Sequence, residues 1–147
     1  MDLREINVAW TWLGHIAMCI LAIWALRRGS FIERTATAVV GSGWIVTPLV
    51  QSKGTIGLDI GTTSVDLIVF VLLTGLSCKY RQIWLLFASA SMLWAVVGHF
   101  SVVFTDDLSL QAYVSNNGFW SGYMLLLALF IGMLNAERGR VPVNSQG

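Results

Sequence analysis

Three side chains able to move a proton or hold a metal sit inside long apolar runs of this chain: His15, Asp66 and His99. An ionisable group within a membrane-spanning helix is costly to keep there, so each is a functional candidate by default. Their depths nearly coincide. His15 lies about seven residues into its run, Asp66 about eight into its own, and His99 about five from the end of its run. At roughly 1.5 Å per helical residue, with runs of alternating direction, the three share a level to within about 5 Å. Two histidines on facing helices at one depth can ligate a haem b through neutral imidazoles, and a chlorin pigment or a quinone could use the same groups.

The faces around these histidines leave room for such a group. Ala88, Ser91 and Ala95 precede His99 at helical spacing, with Gly98 beside it; Gly14 adjoins His15, and Thr11, Met18 and Cys19 share its face. A second chemistry for the same residues is a proton or cation path through Asp66 and His99. A third is structural: Asp66 hydrogen-bonds His99 or a nearby Ser or Thr and ties two helices together, a bond that averages under about 1 kcal/mol but fixes register.

The elements that must position these groups are membrane spans. Of the 147 residues, 56% are hydrophobic and 12% charged, more apolar surface than a soluble domain of this size can cover. Five runs approach or reach the roughly 20 residues that a spanning helix needs: residues 8–26, 35–50, 58–77, 83–104 and 119–134. The second is the weakest, short and interrupted by Gly41, Gly43 and Pro48, so it is expected to be kinked or re-entrant. With five spans, Arg27, Arg28, Arg34, Lys79, Arg81, Arg138 and Arg140 fall on one side, seven of the nine Lys and Arg residues. Arg4 and Lys53 share the other side with Asp2, Glu5, Asp59, Asp106 and Asp107. By the positive-inside rule the N-terminus is outside, the C-terminus cytoplasmic, and residues 135–147 form a short tail. Trp10, Trp12, Tyr113, Trp120 and Tyr123 suit the outer interface and Trp24, Tyr80 and Trp84 the inner one, whereas Trp44 and Trp94 lie deeper and should face another helix or a bound partner. The net charge of +1 gives no reason to expect nucleic acid. The expected class is therefore an all-α, multi-pass membrane protein in contact with lipid.

Two short patterns bear on function. Gly57-Leu58-Asp59-Ile60-Gly61-Thr62-Thr63-Ser64-Val65 resembles the first phosphate-binding motif of the sugar kinase, actin and chaperone ATPase superfamily. The resemblance implies a metal-linked acid at Asp59 and a phosphate turn at Gly61, Thr62 and Thr63. It covers about nine residues of a chain that lacks the two large α/β domains of that superfamily. The reading adopted instead is a Gly/Thr turn entering the third span, capped by Thr62 or Thr63. Small residues also recur where helices pack closely: Gly118-x-x-x-Gly122, Thr37-x-x-x-Gly41, and Ala88, Ser91 and Ala95.

Trp44-x-x-Thr47-Pro48-Leu49-Val50-Gln51, Asp66 leading an aliphatic run, and His99 near the end of the fourth run resemble a group of small multi-span inner-membrane proteins of proteobacteria. That resemblance implies a bacterial inner-membrane setting and carries no activity with it. Sparse charge, short loops and small-residue faces point to an accessory or scaffold subunit of a larger complex, of photosynthetic or respiratory type, or to a homo-oligomer. The alternatives are a haem- or pigment-binding electron-transfer protein using His15 and His99, and a small oligomeric channel or transporter with Asp66 on its path. No nucleophile–base pair and no metal-ligand spacing points to an enzyme.

Overall fold

Polar residues at the ends of the apolar runs set where the helices begin and stop. The structure is a computed structural model that describes residues 3–52, 59–104 and 118–139; Lys53, Leu58, Asp106, Asp107, Tyr113, Arg140 and the rest of the tail lie outside the described residues. α1 (Leu3–Arg28) ends on Arg27 and Arg28, and the Gly29 amide closes it by donating to the Ala25 carbonyl at 2.7 Å. α2 (Phe31–Val50) starts at once. Ser30 is its N-cap and Glu33 completes a capping box by accepting from the Ser30 amide at 2.8 Å, which satisfies two amides left over by the first turn. The second helix is therefore four residues longer at its start than the hydropathy run indicated, and it continues unbroken past Gly41, Gly43 and Pro48.

α3 (Ile60–Tyr80) follows, with Asp59 as N-cap and Arg81 as a left-handed C-cap (φ 53°, ψ 36°) whose amide donates to Ser77 at 2.8 Å. α4 spans Ile83–Phe104. A π-helical segment, Gly118–Met124, runs directly into α5 (Leu125–Arg138), so residues 135–138 extend the last helix instead of opening the tail. Four helical stretches are long and apolar enough to cross a membrane: Val8–Arg28, Ile60–Tyr80, Ile83–Ser101 and Gly118–Arg138. No strand occurs among the described residues.

Helices adjacent in sequence pack side by side, and α5 returns to lie against α1. Hydrogen bonds fix the sense of that last contact. The Tyr123 hydroxyl donates to the Trp10 carbonyl at one end, and Trp24 Nε1 donates to Glu137 Oε1 at 2.9 Å at the other, so α1 and α5 run parallel. α2 also touches α5 across the ring. Each helix buries a stripe at three- and four-residue intervals, as Thr63, Asp66, Val69, Leu73 and Ser77 do in α3. The opposite faces are apolar too: Leu13, Ile16, Ile20 and Ile23 on α1, and Leu67, Ile68, Val71 and Leu72 on α3, are all exposed. Apolar cover on this scale fits a lipid surround.

Close packing at the basic end depends on Gly132 of α5. Trp84, 2% exposed, lies flat against it, and a Cβ added there would come within 2.7 Å of Trp84 Cδ2. Gly75 on α3 meets nothing within 4 Å. Gly132→Ala is therefore expected to destabilise the bundle by about 1–3 kcal/mol through overpacking. Gly75→Ala should be neutral or stabilising by up to about 1 kcal/mol through helix propensity. Thermal unfolding of the two variants in one detergent, followed by circular dichroism, checks both signs.

Candidate functional site

α3 and α4 bring Asp66 and His99 together. His99 Nε2 and Asp66 Oδ2 are 2.8 Å apart, with the histidine side chain 1% and the aspartate side chain 12% accessible. Helical spacing explains both positions. Asp66 falls on the buried stripe of α3 between Thr63 and Val69. His99 continues the line of Ser91, Met92, Ala95 and Val96, all buried in α4. A buried ionisable group without a partner is strongly disfavoured, and each of these supplies the other's. The structural reading of Asp66 and His99 thus describes how they sit, and the same geometry leaves Asp66 at the edge of a cavity.

That cavity has a volume of about 290 Å³ and is walled by all five helices. Asp66 is on its wall, together with His15, Trp10, Trp44 and Tyr123. The N-terminal halves of α1 and α3, the C-terminal half of α2 and the π-segment converge there, so the cavity lies toward one end of the bundle. Trp44 is placed by two contacts: its ring meets His15 edge-on at 5.5 Å, and its Nε1 donates to the Ser121 carbonyl at 3.4 Å. Gly14 leaves space for that indole, since a Cβ there would sit 3.3 Å from Trp44 Cη2. The rings of Trp10 and Tyr123 lie 4.1 Å apart. Trp10 and His15 are both exposed on α1, which places the mouth of the cavity beside them.

His15 and His99 differ in role. His15 Nδ1 is 2.8 Å from the Thr11 carbonyl and donates to it, so its ring is held to its own helix. His99 Nε2 is engaged by Asp66, and a haem iron could take that nitrogen only by breaking the pair. Other residues marked by their spacing divide similarly. Ala88, Ser91 and Ala95 are buried, Gly122 is buried beside Trp44, and Gly41 faces Met18. Gly118 meets nothing within 4 Å and lines the cavity instead. Trp94 is 53% exposed and its ring lies 5.6 Å from that of Trp120.

The Gly/Thr pattern around Asp59 spends its hydrogen bonds on itself. Asp59 accepts from the Gly61 amide at 3.2 Å and the Thr62 hydroxyl at 2.7 Å, and from the Ser52 amide at 3.2 Å. The N-cap is Asp59, not Thr62 or Thr63; the Thr63 hydroxyl donates back to the Asp59 carbonyl at 2.7 Å. Gly61 is required by the close approach of α2, because a Cβ there would lie 2.3 Å from the Val50 carbonyl oxygen. These contacts account for the residues of the motif without a phosphate. No family model matches this chain, and neither does any curated protein or solved structure.

Two outcomes are expected. The Thr62 hydroxyl, followed by the Ser52 and Gly61 amides, holds the Asp59 carboxyl below its ordinary 3.8 against partial desolvation. A depressed folded-state value means that the cap's contribution is complete above 3.8 and is lost as pH falls through the lower folded value. Asp59→Ala should cost about 1 kcal/mol at neutral pH and Asp59→Asn much less. Melting curves between neutral and strongly acidic pH should show a steeper acid loss for wild type than for Asp59→Asn. Titration of the purified protein with haem b should give no low-spin bis-imidazole Soret band; one that vanished in His99→Ala would show that the Asp66 pair yields to iron.

Proposed function

We propose that this chain is a five-span bacterial inner-membrane protein, N-terminus outside and C-terminus cytoplasmic, that binds a small ligand within the outer half of the bilayer. The observation that carries the reading is the aromatic-walled cavity of about 290 Å³ with Asp66 at its edge. An apolar cavity of about 150 Å³ accepts one benzene, and small-molecule pockets begin at about 300 Å³, so a ligand of one or two rings fits. Orientation is supported by charge: Arg27, Arg28, Arg34, Lys79, Arg81 and Arg138 gather at the end of the bundle away from the cavity, and Asp59 stands at the cavity end. α2 is read as a full span because its 20 residues cover about 30 Å.

The reading is of a binder and not an enzyme. Among the described residues the buried acid–base pair is locked to itself, and no group of three His, Cys, Asp or Glu able to hold a metal occurs. A second reading, an accessory subunit docked in a larger photosynthetic or respiratory assembly, is favoured by Trp94. An indole exposed near the middle of α4 lies away from the interfaces that tryptophan prefers, as it would beneath a partner helix.

Gly122 offers a way to close the cavity, since a Cβ there makes only an ordinary 3.7 Å contact with Trp44. Native mass spectrometry of wild-type protein released from lipid nanodiscs should show a small-molecule adduct, and Gly122→Leu should reduce it to background while melting at the same temperature. Equal adducts on both proteins, or none on either, would overturn the binding role.

A further inference from the structure

We infer that the ligand of this cavity is an organic cation, an aromatic or alkyl ammonium, and this inference rests on the reading of the cavity as a binding site. Four observations lead there. First, the described lining contains no Lys or Arg, and Asp66 is its only carboxylate. Second, of the hydrogen-bonded pair it is Asp66 that faces the cavity: its side chain is 12% accessible and on the wall, while that of His99 is 1% accessible and behind it. A carboxylate at this depth in a bilayer is costly, and a monocation in the cavity supplies the compensation.

Third, three large aromatic side chains, Trp10, Trp44 and Tyr123, share the wall with that carboxylate. Ring faces attract cations, tryptophan most strongly, and quaternary ammonium groups are recognised by such walls. Fourth, the site is unsuited to an inorganic cation. One carboxylate with an apolar surround lacks the six or so oxygen ligands of a hard divalent ion, and no multi-ligand cluster occurs among the described residues. The volume of about 290 Å³ instead suits a substituted benzylammonium or a compact alkylammonium. His15, whose Nδ1 donates to the Thr11 carbonyl, adds a further ring near the mouth.

The test compares benzyltrimethylammonium with neopentylbenzene, which has the same shape and no charge. Each is titrated calorimetrically into the full-length protein in nanodiscs of zwitterionic lipid, with empty discs as the blank. The cation should bind about tenfold or more tightly than its isostere, the factor expected from a desolvated cation–π contact. Asp66→Asn, which keeps a hydrogen-bonding partner for His99, should bring the ratio close to unity and leave binding of the isostere intact. If wild type binds the isostere as tightly as the cation, the ligand class is wrong and the cavity remains a binding site. If neither probe saturates, the binding role itself fails and this inference with it. The wild-type ratio decides the matter even where Asp66→Asn does not fold.

Discussion

The hydrogen bond between Asp66 Oδ2 and His99 Nε2, 2.8 Å long, is the constraint around which α3 and α4 are arranged. Neither group can be left alone among apolar helices, because an orphaned partner would keep its full desolvation cost. Once it is made, the two helices have one register. The Thr74 and Ser89 hydroxyls then meet at 2.6 Å further along the same seam, eight residues on from Asp66 and ten back from His99, as antiparallel helices require. Met92 and Ala95 fall between these two polar contacts, Ala88 lies just beyond Ser89, and all three are buried with them. The seam is closed by small and flexible side chains, and the polar pairs decide where along the helices it closes.

Most other hydroxyls avoid such commitments. Thr35, Ser64 and Ser91 donate to carbonyls four residues back in their own helices, and Ser42 and Ser101 to carbonyls three back. This is the expected behaviour where no water is available to satisfy them. Among the described residues few other polar contacts join different helices, and they fall at both ends of the bundle. Trp44 reaches the Ser121 carbonyl and Tyr123 the Trp10 carbonyl at the cavity, while Trp24 meets Glu137, which also receives Arg28 at 3.7 Å, at the basic end. The void is thus framed by aromatic side chains that are held by their polar ends, with their ring bodies left to form its walls.

Hydropathy and helical rise made much of this legible. The level shared by His15, Asp66 and His99 follows from counting residues along apolar runs, and it is at that level that the bundle joins two of them and places all three at or behind one cavity. Helix starts were harder to read. Glu33 and Arg34 look like loop residues by hydropathy, although Ser30-x-x-Glu33 carries a capping box that moves the start of α2 back to Phe31. Asp59 was hidden inside a pattern that matched a phosphate turn, although the contacts that make it a cap, to Gly61 and Thr62, are local. The π-segment has no signature in the sequence. Its Gly118-x-x-x-Gly122 spacing reads as an α-helical packing motif, yet the widened turn leaves Gly118 on the cavity. The cavity was not legible at all, because a void is set by what five separate helices fail to fill. Trp10 and Tyr123 carried only the signal of interfacial aromatics.

The parallel contact between α1 and α5 has a consequence for the order in which the molecule is completed. α1 is made before the other four helices described and α5 after them, yet each holds the other at both ends. During synthesis the Trp24 indole and the Trp10 carbonyl enter the bilayer four helices before the side chains that answer them. The chamber around Asp66 therefore lacks its fifth wall until the ribosome has finished α5. A chain interrupted after α4 would already carry the joined α3–α4 seam but would stand as an open trough, and the insertion machinery has to tolerate that half-made vessel on every round of translation.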